Sequence, residues 1–398
     1  MNQYKYLIIG GGMTADSAVD GIREKDSEGS IGLVSMETDP PYNRPPLSKG
    51  LWKGKPFDSI WRNTESKKVE LTLGRKIVSL NLNQQSVMDD LGAEYQGEKI
   101  LLATGGTPRR LPFGGNDIIY FRTLEDYRNL DRISKESQNF VVFGGGFIGA
   151  EVAAALAMNS KKVTMIFPED GIGARIYPHE LSQFLNGYFT KKGVEVLPGE
   201  QVTGLSWHDG RHVLHTLSGR ELAADGVIAG IGIEPNVEIA KESGLKVEKG
   251  IIVDENLVTS HPNIYAAGDV AEFFNPTLGK RIRVEHEDNA NSMGRLAGRN
   301  MAGALEPYHH LPYFYSDLFE LGYEGVGELD AKLTTMADWA QPFLKGVIYY
   351  FKEERVCGVM LWNVSDKIPS ARDLIAQPGP YRAEELIAKN PPSWKIKY

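Results

Sequence analysis

An α/β fold with parallel sheets is predicted by three features: two strand–glycine turn–helix–strand runs, three further apolar strands that end in glycine, and a final stretch patterned like antiparallel sheet. The first run has an apolar strand at 6–9, then Gly10-Gly11-Gly12, a helix-compatible stretch at 14–24 and a second strand at 31–35. The second run repeats the series at 140–143, Gly144-Gly145-Gly146, 147–158 and 163–167. The glycine-ended strands lie at 100–106, 227–232 and 264–269. Glycine at a strand end lets a backbone approach a ligand closely. After Pro307 the segments 346–351 and 356–362 alternate like paired antiparallel strands, so this part is expected to be an α+β domain. The Pro/Lys-rich last residues are expected to be mobile.

Composition narrows the class. The chain has 398 residues, 41% hydrophobic and 24% charged, as in an ordinary globular protein of two or three domains. A net charge of −8 disfavours general nucleic-acid binding, which needs a basic face to release counterions. With a single cysteine, Cys357, the chain can form neither an intrachain disulfide nor a cysteine zinc cluster, and no metal site is expected. A reducing, cytoplasmic location is expected. No leader-type segment precedes the first strand, and no apolar run is long enough to cross a bilayer.

The second glycine run reads Gly144-Gly145-Gly146-Phe147-Ile148-Gly149, a GxGxxG pattern between a strand and a helix. Its first glycine makes the turn and its second admits a pyrophosphate to the backbone. The third lets helix and sheet pack tightly, and the helix N-terminus offers unpaired N–H groups. The first run matches with Gly10, Gly12 and Ala15, and Thr14 lies inside it. Two Rossmann-type dinucleotide sites are therefore predicted. Each needs an acid near the end of its second strand to bind a ribose. Glu37 is the candidate in the first unit. In the second, Phe167 stands where glutamate is commonest and Glu169 follows. A carboxylate there repels a 2′-phosphate and selects NADH over NADPH, whereas nearby Arg175 would accept that phosphate.

The segment Pro41-Tyr42-Asn43-Arg44-Pro45-Pro46-Leu47-Ser48-Lys49 is specific. Its prolines stiffen a loop in which Ser48 is expected to cap a helix, with Lys49 projecting from the helix start. A cation near the reactive edge of a flavin would assist hydride acceptance, and Glu151 is the expected partner of Lys49.

From 7 to about 374 the chain resembles two-dinucleotide-binding flavoproteins, the group that includes the ferredoxin reductases of bacterial oxygenases. It is most similar to the apoptosis-inducing-factor branch. The motifs that carry the likeness are Arg44-Pro45-Pro46-Leu47-Ser48-Lys49, Gly144 to Glu151, Phe167-Pro168-Glu169, Arg283-Val284-Glu285-His286 and Ser316-Asp317-Leu318. The runs 345–350 and 358–363 match the C-terminal domain of that branch. The resemblance implies a discontinuous FAD domain (1–112 and 239–307), an NADH domain (113–238) and a C-terminal domain (308–398). It also implies a homodimer. On the FAD side it implies Gly10, Gly12, Thr14, Ala15, Glu37, Arg44, Lys49, Ile77, Ala103, Thr104, Gly105, Arg122, Gly268, Asp269, Glu285, His286 and Tyr315. On the NADH side it implies Gly144, Gly146, Phe147, Ile148, Gly149, Glu151, Glu169, Arg175, Gly232 and Glu324. Lys49, Glu151, His286 and Phe147 take the catalytic roles, Phe147 as the ring that gates the nicotinamide. Two departures stand out: Met36 occupies the usual place of the acid preceding Glu37, and Tyr315 replaces a tryptophan. The long C-terminal-domain insertion of the animal protein is absent.

The chemistry expected is hydride transfer from NADH to FAD. Without a cysteine pair, disulfide, mercuric and coenzyme-A disulfide reduction are excluded. Two readings remain. In one, electrons pass to a ferredoxin, a quinone or a similar acceptor. In the other, a slow NADH sensor holds a lasting reduced-flavin/NAD charge-transfer complex and signals through dimerisation or a protein partner.

Overall fold

A computed structural model describes residues 2–381 and 386. The Pro/Lys-rich end expected to be mobile lies outside the described residues. The chain divides into two compact units. The first runs to Arg44 and adds Phe57–Thr107 and Ile233–Pro312. The second holds Pro45–Pro56, Pro108–Gly232 and the described residues from Tyr313 onward.

The first unit is built on a seven-stranded sheet. Its parallel part places Asn2–Ile9 between Ile31–Val34 and Glu94–Leu102, with Val69–Thr72 and Ile264–Ala266 outside these. Ile8 pairs with Leu33 on one side and Leu101 on the other, and all three are fully buried. Apolar runs without alternation suit such strands, because both faces of the sheet are covered. Strands Ser86–Asp89 and Ile77–Asn81 extend the sheet antiparallel.

Helix Met13–Lys25 follows the first glycine turn and packs closely on helix Glu287–Met301. A Cβ on Gly21 would come within 1.9 Å of Arg295 O, and one on Gly298 within 2.0 Å of Ala18 O. These glycines let the two backbones approach. They fix the C-terminal half of the second helix, which His286 precedes, against the first.

The second unit contains a five-stranded parallel sheet in the order Val194–Pro198, Lys162–Phe167, Asn139–Phe143, Gly226–Ala229, Ile118–Tyr120. Helix Phe147–Met158 lies on it and is buried along 149–156, which explains its almost wholly apolar sequence. A five-stranded antiparallel sheet follows in the order Tyr313–Leu318, Leu321–Gly327, Arg355–Trp362, Lys345–Lys352, Thr334–Gln341. The predicted α/β architecture, with two Rossmann-type parallel sheets and an α+β C-terminal part, is the one observed. Cys357 is buried in that last sheet, its thiol 3.4 Å from Tyr350 O. Among the described residues no helix is long and apolar enough to cross a membrane.

Candidate functional site

In the first unit the three glycines of the opening turn do different work. Gly10 has φ of +127°, and a Cβ on it would lie 2.1 Å from Ala103 O. A Cβ on Gly11 would strike the Ser35 side chain. Gly12 is open, its nearest neighbour being Arg44 Nη2 at 4.0 Å. Gly12 is also the N-cap of helix Met13–Lys25, and no side chain caps it. The first-turn N–H groups are thus left for a ligand, as a diphosphate requires.

Thr14 and Gly268 touch, since a Cβ on Gly268 would lie 2.3 Å from Thr14 Oγ1. Asp269 follows in the turn Gly268–Val270 and acts electrostatically on Arg44. Burial opposes the Arg44 charge, but Tyr42, Glu37 and Asp269 more than compensate and hold its pKa above the ordinary arginine value. Gly12, Thr14, Arg44, Gly268 and Asp269 therefore gather in one place. They supply uncapped N–H donors, a fixed cation and a carboxylate able to accept from hydroxyls, a set that fits FAD.

Glu37 is engaged already. One oxygen accepts from Arg44 and the other from Tyr42 Oη at 2.5 Å. Met36, in the place where the acid is usual, is 61% exposed. Ala15 is fully buried against the core, Ala103 follows the strand Glu94–Leu102 and is buried, and Gly105 adopts φ of +64°. Thr104 Oγ1 donates to Asn236 O at 2.8 Å. Ile77 sits on the antiparallel strand Ile77–Asn81 and pairs with Asp89. Glu285 is held by Arg283 at 2.6 Å, and the same guanidinium donates to Asp269 O at 2.9 Å. His286 is the N-cap residue of helix Glu287–Met301 without a side-chain capping bond.

The second unit repeats the glycine logic. Gly144 has φ of +101°, and a Cβ there would lie 2.4 Å from Gly230 O. A Cβ on Gly149 would lie 2.0 Å from Gly144 O. Gly146, the uncapped N-cap of helix Phe147–Met158, has nothing within 4 Å of a built Cβ. Phe167 is buried beneath Gly145 and offers no hydrogen bond. Glu169 stands two residues on, and Arg175 grips one of its oxygens through Nε at 3.0 Å and Nη2 at 2.7 Å. Gly232 takes φ of +93°, and its carbonyl accepts from Arg109 N at 3.0 Å. Arg122, also in this unit, precedes the capped helix Leu124–Glu136, and its N–H donates to Asp126 Oδ2.

The Lys49–Glu151 pair lies within this unit. Lys49 Nζ is 2.7 Å from Glu151 Oε1, with the side chains 12% and 3% exposed. Ser316 Oγ donates to the same oxygen at 2.6 Å and Ser48 Oγ to the other at 2.6 Å. A buried ion pair is stable when such extra donors satisfy its carboxylate. The expectation that Ser48 caps a helix is corrected. Ser48 closes the short 3-10 turn Pro45–Ser48 and another 3-10 turn follows, so no α-helix begins there and the hydroxyl goes to Glu151. Lys49 likewise leaves the end of that turn, not a helix start.

Lys49 Nζ also sits 5.0 Å from the Tyr315 ring centroid. Tyr315 pairs across strands with Glu324. Among the described residues Glu324 Oε2 is buried without a hydrogen-bond partner, and burial, with Asp366 nearby, raises its pKa. Phe147 packs edge-on against Phe314 at 5.4 Å and tilted against Tyr323 at 6.3 Å. Ile148, its neighbour in the first turn, is 36% exposed. The motif containing Ser316 and the residue Glu151 were each visible in the sequence, but the bond between them, across 165 positions, was not.

A family model described as pyridine nucleotide-disulphide oxidoreductase matches residues 4–294. The chain belongs to this family. Its members use FAD with a pyridine nucleotide, and the chain is an oxidoreductase of that kind. A second model, for the C-terminal domain of mitochondrion-associated apoptosis-inducing factor, matches 297–343 and 338–377. The chain is 34% identical over 419 residues to apoptosis-inducing factor 1, mitochondrial, of Dictyostelium discoideum, covering 94% of this chain and 79% of that one. It is 33% identical over 371 residues to rubredoxin-NAD(+) reductase of Ectopseudomonas oleovorans, covering 90% and 95%. Among solved structures it is similar to putidaredoxin reductase in covalent complex with putidaredoxin, with a TM-score of 0.89, 29% identity and 98% of each chain covered. Despite the family's name, this member's single cysteine is buried and has no second cysteine with which to cycle.

Proposed function

We propose that the protein is an FAD-dependent NADH oxidoreductase that passes electrons to a non-disulfide acceptor such as a ferredoxin or quinone. The observation that carries this reading is the pair of open, uncapped helix starts at Gly12 and Gly146, each behind a turn that only glycine allows. In this reading FAD is held by 1–112 and 239–307, NADH by 113–238, and 308–398 forms the C-terminal domain.

When bound, FAD supplies a ring that takes a hydride and gives up electrons singly. Asp269 accepts from its hydroxyls, Arg44 offsets its diphosphate charge, and Glu285 and His286 line its ring. Phe147 must swing off Phe314 and Tyr323 before a nicotinamide enters. Lys49 would supply a fixed positive charge towards a reduced flavin. Glu324, orphaned at Oε2, accepts from the carboxamide of NADH. Mixing the purified protein with NADH in a stopped-flow spectrophotometer, then with candidate acceptors, tests the reading. A colourless protein that stays colourless with added FAD would overturn it.

Glu169 decides the nucleotide. Its carboxylate accepts from a ribose hydroxyl and repels a 2′-phosphate, while engaging Arg175, a cation suited to NADPH. Glu169→Ala releases Arg175 and is expected to shift the NADPH/NADH ratio of kcat/KM towards NADPH by about tenfold or more. An unchanged ratio removes Glu169 from cofactor choice.

The match of 297–377 to the apoptosis-inducing-factor C-terminal domain favours a second reading, a slow NADH sensor that signals through dimerisation or a protein partner. Anaerobic titration with NADH separates the two. Long-lived long-wavelength absorbance with slow reoxidation supports the sensor; rapid turnover with ferredoxin or quinone supports the reductase.

A further inference from the structure

We infer that Ser316, together with Ser48, is a positioning residue that holds the Lys49 ammonium in place through the Glu151 carboxylate. Three donors from two stretches far apart in the chain, Ser48-Lys49 and Ser316, converge on that one buried group. Lys49 Nζ and Ser316 Oγ share Oε1, and Ser48 Oγ takes Oε2. A carboxylate removed from water needs donors in place of its lost hydration. Lys49 supplies charge, but an ammonium on a flexible stem does not fix the rotation of its partner. The two hydroxyls, one on each oxygen, do so. Tyr177 and Tyr323 also act on Glu151, and burial keeps both phenols protonated far above the ordinary range, so neither adds charge. Tyr315, next to Ser316 on the same strand, lies against Lys49, so this short piece of chain touches both members of the pair.

The inference deepens the reading of Lys49 as the flavin's partner and rests on it for its catalytic consequence. The tether itself can be measured separately. The full-length chain, with and without added FAD, is treated briefly with acetic anhydride. Acetylation of Lys49 is followed by peptide mass spectrometry against exposed Lys135. Glu151→Gln sets the upper limit. Ser316→Ala and Ser48→Ala are each expected to raise the relative rate at Lys49 by about 3- to 10-fold. Ser316→Thr and Ser48→Thr, which keep the hydroxyl, are expected to restore the native rate. Rates unchanged by both alanine substitutions, or raised equally by threonine and alanine, overturn the inference; so does a Glu151→Gln protein that labels like the native one. If Ser316→Ala fails to fold, Ser48→Ala gives the same readout. Unchanged flavin reduction in Lys49→Ala would remove the catalytic reading and leave the tether standing.

Discussion

Replacing Lys49 by alanine is expected to slow the reduction of bound FAD by NADH by about 10²-fold, the cost usual for losing one fixed charge or donor aimed at developing negative charge. The size follows from where the ammonium sits. It is 12% exposed, 2.7 Å from a carboxylate that is itself 3% exposed, and against the Tyr315 ring. Such a cation has little water around it and little freedom, so no solvent rearrangement is needed when charge appears beside it. Glu151→Gln removes the counter-charge while keeping the shape, and the ammonium then keeps the ring and at most a neutral acceptor. Its rate is expected to fall less than that of Lys49→Ala. Stopped-flow absorbance under anaerobic conditions reads both variants, with FAD content measured in parallel. Native rate and native FAD content in Lys49→Ala would remove this residue from the chemistry.

The features legible in the sequence share a property: each is set by residues close together in the chain. Gly10 and Gly144 could be read as turns because their φ values of +127° and +101° belong to glycine, and the strands and helices around them are continuous runs. The antiparallel strands expected at 346–351 and 356–362 are present as Lys345–Lys352 and Arg355–Trp362, though both are buried along almost their whole length and do not alternate. Features that depend on distant parts of the chain were not legible. Ser48 looked like a helix cap because serine before a break commonly caps, and only the fold brings Glu151 to its hydroxyl. Glu37 is an exception of another kind: its bonds to Tyr42 and Arg44 are local in the chain, yet no motif announces them. Gly21 and Gly298 carried no motif, and their use is to let two helices far apart in sequence touch. Spacing assigns the turn to Gly144, the approach of a pyrophosphate to Gly146 and helix packing to Gly149, but it does not give the room at each, and that room separates a glycine that serves the fold from one that serves a ligand.

That separation yields a second large effect. Gly146→Val is expected to weaken NADH binding by at least about 100-fold while leaving the fold and the bound FAD in place. At Gly146 the backbone is extended, φ −82° and ψ −168°, a conformation open to any residue, and a built Cβ meets nothing within 4 Å. The protein alone therefore has room for a side chain, and the cost to folding is limited to a poorer N-cap, about 1 kcal/mol. The space that the side chain fills is the space in front of the uncapped first-turn N–H groups of helix Phe147–Met158, where a pyrophosphate must come to accept from them. Gly149→Val is the contrasting case. Its Cβ would meet Gly144 O at 2.0 Å, so the helix must move off the strand and stability falls together with binding. Thermal melting and NADH titration of the two variants distinguish the roles. If Gly146→Val binds NADH as the native chain does, the open turn is not where the diphosphate lies. If it instead melts like Gly149→Val, the glycine serves the fold.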